Sequence, residues 1–177
     1  MDAFLNAFVR IVDAINEQVG RATAWLTSLL VLVVCLDVIS RYVFSDTAAW
    51  VMELEWHLFA LIFLFGAGYT FKHDRHVRVD LFYTHFSERN KAWVNLLGGT
   101  LFLVPWCLLI LYTSFGFALD SWQTGEGSPN PGGLPARYLI KFSICLGMLL
   151  LLLQALASIA RALLVLRSSS DQSPESA

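Results

Sequence analysis

The chain has 177 residues, of which 56% are apolar and only 15% are charged, whereas an ordinary soluble domain has about a quarter charged residues. Twelve Lys and Arg against fourteen Asp and Glu give a formal net charge of −2, so there is no surplus of positive charge for binding DNA or RNA. Composition and charge therefore indicate a membrane protein and argue against a nucleic-acid partner.

Residues 1–21 have the pattern of an amphipathic helix. Their apolar residues recur mostly every four positions: Phe4, Phe8, Val12, Ile15 and Val19. This spacing places them on one helix face, so we expect the segment to lie on the membrane surface. A cleaved signal peptide is the rival interpretation, but the apolar run begins only after residue 21 and no small-residue cleavage site follows it.

Four stretches contain no Asp, Glu, Lys or Arg: residues 22–36, 56–71, 92–119 and 142–160. A helix needs about twenty mostly apolar residues to cross the hydrocarbon core, so the first two must extend past charged groups. We therefore predict transmembrane helices over these ranges: about 22–44, 49–71, 91–119 and 136–166. The third is long for a perpendicular crossing and should tilt, kink at Pro105 or project beyond the bilayer.

The segments between and after these spans do not favour a membrane crossing. Residues 72–90 predict a short interfacial arm helix, capped by Asp80. Residues 120–135 include a run in which seven of eleven residues are Gly or Pro, which predicts either an ordered turn or a flexible tether, and Pro135 suits the first turn of the fourth span. Residues 167–177 have no apolar anchors and are expected to be disordered.

Lys and Arg are distributed unequally between the two sides of the membrane. Nine of the twelve fall on the side that has both termini and the arm. Because cytoplasmic loops carry the excess of Lys and Arg, we expect both termini to face the cytoplasm. The predicted fold class is an all-α membrane protein with four transmembrane helices, an N-terminal surface helix and a cytoplasmic arm helix.

Cysteine and histidine offer little support for a catalytic or cofactor site. The three cysteines lie within spans and none is within three residues of another, which argues against CxxC redox chemistry. Haem held between two imidazoles on facing helices is an alternative of the enzyme class, but only His57 lies inside a span. We expect no catalytic residue, no cofactor and no metal.

Charged residues in the outer halves of the spans are the candidate structural or partner-contact residues. Three pairs are spaced four apart and can share a helix face: Asp37 and Arg41, Glu53 and His57, Arg137 and Lys141. Asp37, Glu55 and Lys141 should lie at matching depth, roughly 8–10 Å below the outer helix ends. Since an unpaired charge there costs a few kcal/mol, these groups indicate an internal ion-pair network, a contact with another membrane subunit, or an ion relay.

A transport site within the chain itself is the third alternative. Secondary transporters usually show internal repeats and broken helices, but no convincing repeat relates the first two spans to the last two, and Pro105 is the one helix breaker inside a span. We expect Gly66, Gly68 and Gly147 to allow close helix packing instead. The residues alone therefore favour a supporting subunit.

The order of several motifs resembles the small membrane subunit of tripartite ATP-independent periplasmic (TRAP) transporters, the DctQ-like family. The run RYVFSDTAAWVMELEWHLFALIFLFGAGYTFKHDRHVRVD and the later PGGLP run before an Arg and a Lys carry the resemblance, which covers about residues 20–165. The matching positions in the first run are Arg41, Trp50, Glu53, Glu55, Gly66, Ala67 and the range from His76 to Asp80, which includes Arg78. Those in the later run are Arg137 and Lys141.

The resemblance implies a complex of three proteins in the bacterial inner membrane and periplasm. A DctP-like periplasmic binding protein captures an organic acid, and a large DctM-like membrane subunit carries it across with a sodium gradient. The small subunit binds the large one and acts as a stationary scaffold. The partners implied for this chain are these two proteins and membrane lipids.

Overall fold

The computed structural model describes residues 2–73 and 86–171, with side chains described up to residue 167. The helices are α1 (Asp2–Val43), α2 (Ala49–Lys72), α3 (Glu88–Gly98), a π-helical turn (Gly99–Leu103), α4 (Val104–Gln123) and α5 (Tyr138–Asp171). Four helical stretches, with α3 through α4 counted as one, are long and apolar enough to cross a membrane. The prediction of an all-α protein with four membrane helices is thereby confirmed.

Parts of two predicted segments lie outside the described residues. These are residues 74–85 of the arm, with the candidate residues Arg78 and Asp80, and residues 172–177 of the tail. The beginning of the tail segment is helical, because α5 continues through Asp171. One contact helps to hold this extension, since Arg167 Nη1 donates a hydrogen bond to Asp2 Oδ1 at 3.1 Å.

Helix α1 has 42 residues, so residues 2–21 and the first membrane helix form one continuous helix. At 1.5 Å per residue it is about 63 Å long, roughly twice the thickness of the hydrocarbon core. The face of its first half that points into the bundle is mixed, because Val12 and Asn16 are only 3% and 1% exposed there, whereas Phe4 is 74% exposed. This segment therefore packs against the bundle through Val12 together with Asn16, a polar residue that the sequence did not indicate as a helix contact.

Helix α5 is the centre of the arrangement. Helices α1 and α2 pack against each other and against α5, while α3 and α4 pack against α5 and have no comparable contact with α1 or α2 in the described ranges. Among the four membrane helices α5 has the largest buried share, and α3 through α4 has the smallest. Much of the apolar surface of the outer helices therefore remains uncovered.

Glycine allows two close contacts in this arrangement. A Cβ at Gly147 would lie 2.9 Å from the backbone oxygen of Leu64, and one at Gly68 would lie 3.4 Å from the backbone oxygen of Leu150. The expectation of close packing is confirmed for these two positions. At Gly66 the described residues make no such contact, because none of them outside its own helix backbone lies within 4 Å of the position that its Cβ would take, and close packing there stays a prediction.

The third membrane helix contains the π-helical turn immediately before Pro105. Proline has no N–H group, and its ring crowds the carbonyl group four residues earlier. A wider π-helical turn relieves that crowding and lets the helical chain continue into α4. The change of helix type in this long span therefore lies beside Pro105, and its tilt, its kink and its projection beyond the bilayer stay predictions.

Candidate functional site

Glu53 is the centre of a cluster at the end of the bundle where the α4–α5 loop lies. Its side chain is almost completely buried, at 1% exposed. The carboxylate accepts hydrogen bonds from Ser128 Oγ, from Asn130 Nδ2 at 2.9 Å and from the backbone N–H of Leu134 at 2.7 Å. One residue of α2 therefore binds three donors of the α4–α5 loop, and we call this arrangement the loop cluster.

The Gly- and Pro-rich composition allows the loop to close around this carboxylate. A Cβ at Gly133 would lie 2.8 Å from Glu53 Oε2 and would collide with the Ser128 side chain. The loop is also bonded to itself, since the N–H of Ser128 donates to the carbonyl oxygen of Leu134 at 3.1 Å. Of the two alternatives left by the sequence, the structure shows the ordered turn.

Helix α5 begins three residues later than the position of Pro135 suggested. Ala136 has a φ of 62°, in the left-handed region, so the chain turns there before the helix begins at Tyr138. The prediction that Pro135 occupies the first turn of the helix is therefore wrong. The proline ends the loop and does not start α5.

A second contact at this end of the bundle joins the loop to α5. Lys141 Nζ forms an ion pair with Glu126 and lies 3.8 Å from the ring centroid of Phe117. The hydrogen bond from Lys141 holds the pKa of the Glu126 carboxyl below its usual range. Arg137 donates its backbone N–H to the carbonyl oxygen of Glu126 at 2.9 Å, and its guanidinium lies 5.8 Å from the Trp56 ring.

The Asp37–Arg41 pair predicted from the spacing is present in α1. Arg41 Nη2 donates to Asp37 Oδ2 at 2.6 Å, with the Asp37 side chain 8% exposed and that of Arg41 49% exposed. Asp37 and Trp50 both line a crevice of about 280 Å³ between α1 and α2. The pair therefore places one buried carboxylate beside an otherwise mostly apolar crevice.

The other expected pairings are not formed. His57 does not pair with the carboxylate of Glu53, because its Nδ1 atom lies 2.5 Å from the backbone carbonyl oxygen of that residue. Asp37 and Lys141 have separate partners, and Glu55 Oε1 is shielded from solvent without a hydrogen-bond partner among the described residues. The Asp37–Arg41 pair and the Lys141–Glu126 pair are therefore separate contacts.

A buried polar cluster at the opposite end of the bundle was missed by the sequence analysis. Asn16 Nδ2 donates to Gln154 Oε1 at 2.9 Å, and Gln154 Nε2 donates to Asp13 Oδ1 at 2.8 Å. Arg161 Nη2 also donates to Asp13 Oδ1, at 3.1 Å. The available signal was Gln154, a polar residue in the middle of an apolar stretch.

This terminal cluster, defined by Asp13, Asn16 and Gln154, adjoins a set of ion pairs between α1 and α2. Glu17 pairs with Lys72 at 2.7 Å and with Arg21 at 3.2 Å. The Glu17–Lys72 pair joins α1 to α2, in addition to the contacts of the terminal cluster that join α1 to α5. The bundle therefore has polar contacts between helices at both ends.

The positions of the described histidines bear on the haem alternative. His57 lies in α2 and His73 directly follows the last residue of that helix, sixteen residues or about 24 Å away, so they cannot ligate one iron atom. His76 and His85 lie outside the described residues. Among the residues that the structure describes, no group of three His, Cys, Asp or Glu is arranged to hold a metal ion.

Four helices that are long and apolar enough to cross a membrane define a multi-pass helical membrane protein. Residues 30–165, well over half of the chain, match the family described as "Tripartite ATP-independent periplasmic transporters, DctQ component". The chain belongs to this family and is a small membrane subunit of a TRAP transporter. A search of curated proteins finds no match.

Membership places the chain in a family of transporter subunits and not of enzymes. The family is generally one part of a tripartite complex, together with a DctM subunit and a DctP-type binding protein. The matched residues include the loop cluster and Gln154, but not the Asp13 and Asn16 side of the terminal cluster.

Proposed function

We propose that this chain is a stationary scaffold that binds and stabilises the large DctM-like subunit. In this proposal the complex takes up organic acids with a sodium gradient, after a DctP-like binding protein has delivered them. The observation that carries the scaffold role is the large uncovered apolar surface around a central α5. Helices that bury so little against one another leave an extended surface for another membrane protein and for lipid.

The polar contacts at both ends support a static role. The loop cluster ties α2 to the α4–α5 loop, and the terminal cluster ties α1 to α5. Buried hydrogen bonds between helices favour the one arrangement of the helices in which they form. In addition, Glu53 and Lys141 are engaged in contacts within the chain, which supports a structural role for them and not one in binding a transported acid.

We place the chain in the bacterial inner membrane with both termini in the cytoplasm. The support is the distribution of Lys and Arg, nine of which fall on the side of the termini and the arm. In this orientation the loop cluster is periplasmic and the terminal cluster is cytoplasmic. A protease-cleavable tag at the C-terminus should be cut in inverted vesicles and protected in intact spheroplasts.

Co-purification tests the proposed function. The chain is tagged at its C-terminus, co-expressed with the reading frames that neighbour its gene, and purified in mild detergent. We expect a large multi-span membrane protein of the DctM type to be recovered in a constant ratio and identified by its peptide masses. Recovery of the tagged chain with no large membrane protein, from cells that make both, would contradict the proposal.

A further inference from the structure

One face of α2 points away from α5 and carries an unusual combination of residues. We call it the α2 face, and its residues are Met52, Glu55, Phe59, Phe63 and Gly66. The two phenylalanines are 63% and 70% exposed. The spacing of these residues keeps them on one side of the helix through more than three turns.

Glu55 is out of place on an apolar face of a membrane helix. It lies six residues after the start of α2, or about 9 Å along the helix, which is too far for its short side chain to reach the end of the helix. Its side chain forms no hydrogen bond or ion pair with the described residues. Of its two carboxylate oxygens, Oε1 is shielded by this chain, so the other oxygen is the one that a second molecule can reach. Since an unpaired charge at this depth is unfavourable, that oxygen is the acceptor for a donor of a partner.

Gly66 lies three turns from Glu55 on the same face. The space next to its Cα is open, whereas the corresponding spaces at Gly68 and Gly147 are occupied by neighbouring atoms of this chain. A small residue on the outward side of a membrane helix lets a second helix approach closely. The α2 face therefore combines a position for close approach, aromatic contact area and an acceptor that needs a donor.

We propose that the α2 face docks against a membrane helix of the large DctM-like subunit. The partner helix supplies a cation or a hydrogen-bond donor to Glu55 and comes closest to α2 at Gly66. This inference rests on the proposed function, from which the identity of the partner is taken. It adds which surface of this chain makes the contact.

The charge of the face argues against a second copy of this chain as the occupant. In a symmetric dimer the same patch meets itself, and the α2 face has one carboxylate and no cation. Such a dimer would bring two Glu55 side chains together without a donor. A different chain, which can provide the missing positive or donor group, satisfies the carboxylate instead.

The first test uses two glycines that are equally open in this chain. Gly66→Leu blocks the α2 face, and Gly116→Leu adds the same side chain to α4, where likewise no described residue outside the glycine's own helix backbone lies within 4 Å. We expect Gly66→Leu to lower recovery of the large subunit by about tenfold or more, while Gly116→Leu leaves recovery unchanged. Unchanged recovery with Gly66→Leu, or a loss confined to Gly116→Leu, would overturn the proposal.

The second test separates docking from folding. Glu55→Leu removes the unpaired carboxylate, so the chain purified alone should unfold at the same or a higher temperature than the wild type. Recovery of the large subunit should nevertheless fall by about tenfold. If Glu55→Leu lowers both the unfolding temperature of the chain and the recovery of the large subunit, the variant has a folding defect, and this result would contradict the docking role.

The two proposals fail in different ways. If the wild-type chain captures no large subunit, the proposed function is wrong. If the wild type and both α2-face variants capture it equally well, the complex is real and only the assigned face is wrong. Co-expression of two differently tagged copies completes the test, because co-purification that Gly66→Leu abolishes would assign the face to a dimer of this chain.

Discussion

The contact between Gln154 and its two partners provides a quantitative prediction. Gln154 accepts a hydrogen bond from Asn16 at 2.9 Å and donates one to the Asp13 carboxylate at 2.8 Å. A neutral bond between side chains in a membrane protein contributes about 0.6–1.7 kcal/mol, and a bond to a charged group about 1.5–3 kcal/mol. We therefore expect Gln154→Leu to lower the free energy of unfolding by about 2–5 kcal/mol.

Asn16→Leu provides the matched comparison. It removes only the bond to Gln154 and a bond within its own helix to the carbonyl oxygen of Val12. The expected loss is about 0.6–1.7 kcal/mol, and the double variant should reveal a coupling of similar size. Equilibrium unfolding of the purified chain in micelles, followed by tryptophan fluorescence, measures all three variants. Equal losses for the two single variants, or strict additivity in the double variant, would refute the reasoning.

Three other contacts give further predictions. Glu53→Gln weakens the acceptor of three loop donors, so hydrogen exchange at the amides of the α4–α5 loop should become faster; an unchanged exchange pattern would show that the loop is held by its own bonds. Lys141→Met leaves Glu126 without its cation, and expression or complex yield should fall. Because the pKa of Glu126 lies below its ordinary value of 4.5 chiefly through the Lys141 hydrogen bond, its stabilising contribution is complete above that pH and is lost as the pH falls through the lowered pKa. The wild type should therefore lose more thermal stability on acidification than Lys141→Met, and parallel pH profiles would contradict this assignment. Gly147→Leu forces a side chain against the Leu64 backbone and should destabilise the chain by about 1–3 kcal/mol, as measured by the same unfolding assay; a stability equal to that of the wild type would exclude close packing there.

The four membrane helices could be predicted because their signal is local. Each apolar run, with the first two extended past a few charged residues, indicates a crossing, and the structure places helices over all four. The Asp37–Arg41 pair was predictable for the same reason, since residues four apart on a helix are neighbours whatever the rest of the chain does. Both the membrane helices and this ion pair could be predicted because each is determined by residues within a few consecutive helical turns.

Contacts between distant segments were not predictable from one sequence. Glu53 meets donors 75 to 81 residues later in the chain, and Asn16 meets Gln154 across 138 residues. The same amphipathic pattern in residues 2–21 fits a helix that lies on the membrane surface or a helix that packs in the bundle with Val12 and Asn16 both buried. Only the position of α5 beside α1 decides between these, and no local property of the sequence specifies it.

Reconstitution into liposomes tests the central claim most directly. The chain, the large membrane subunit and the periplasmic binding protein from the same neighbourhood are combined in every pairing, with a sodium gradient and the labelled acid that the binding protein recognises. The account predicts that uptake requires all three proteins and that liposomes containing this chain alone show none. Uptake by the chain alone, or full uptake when it is omitted, would contradict its assignment as the scaffold of the transporter.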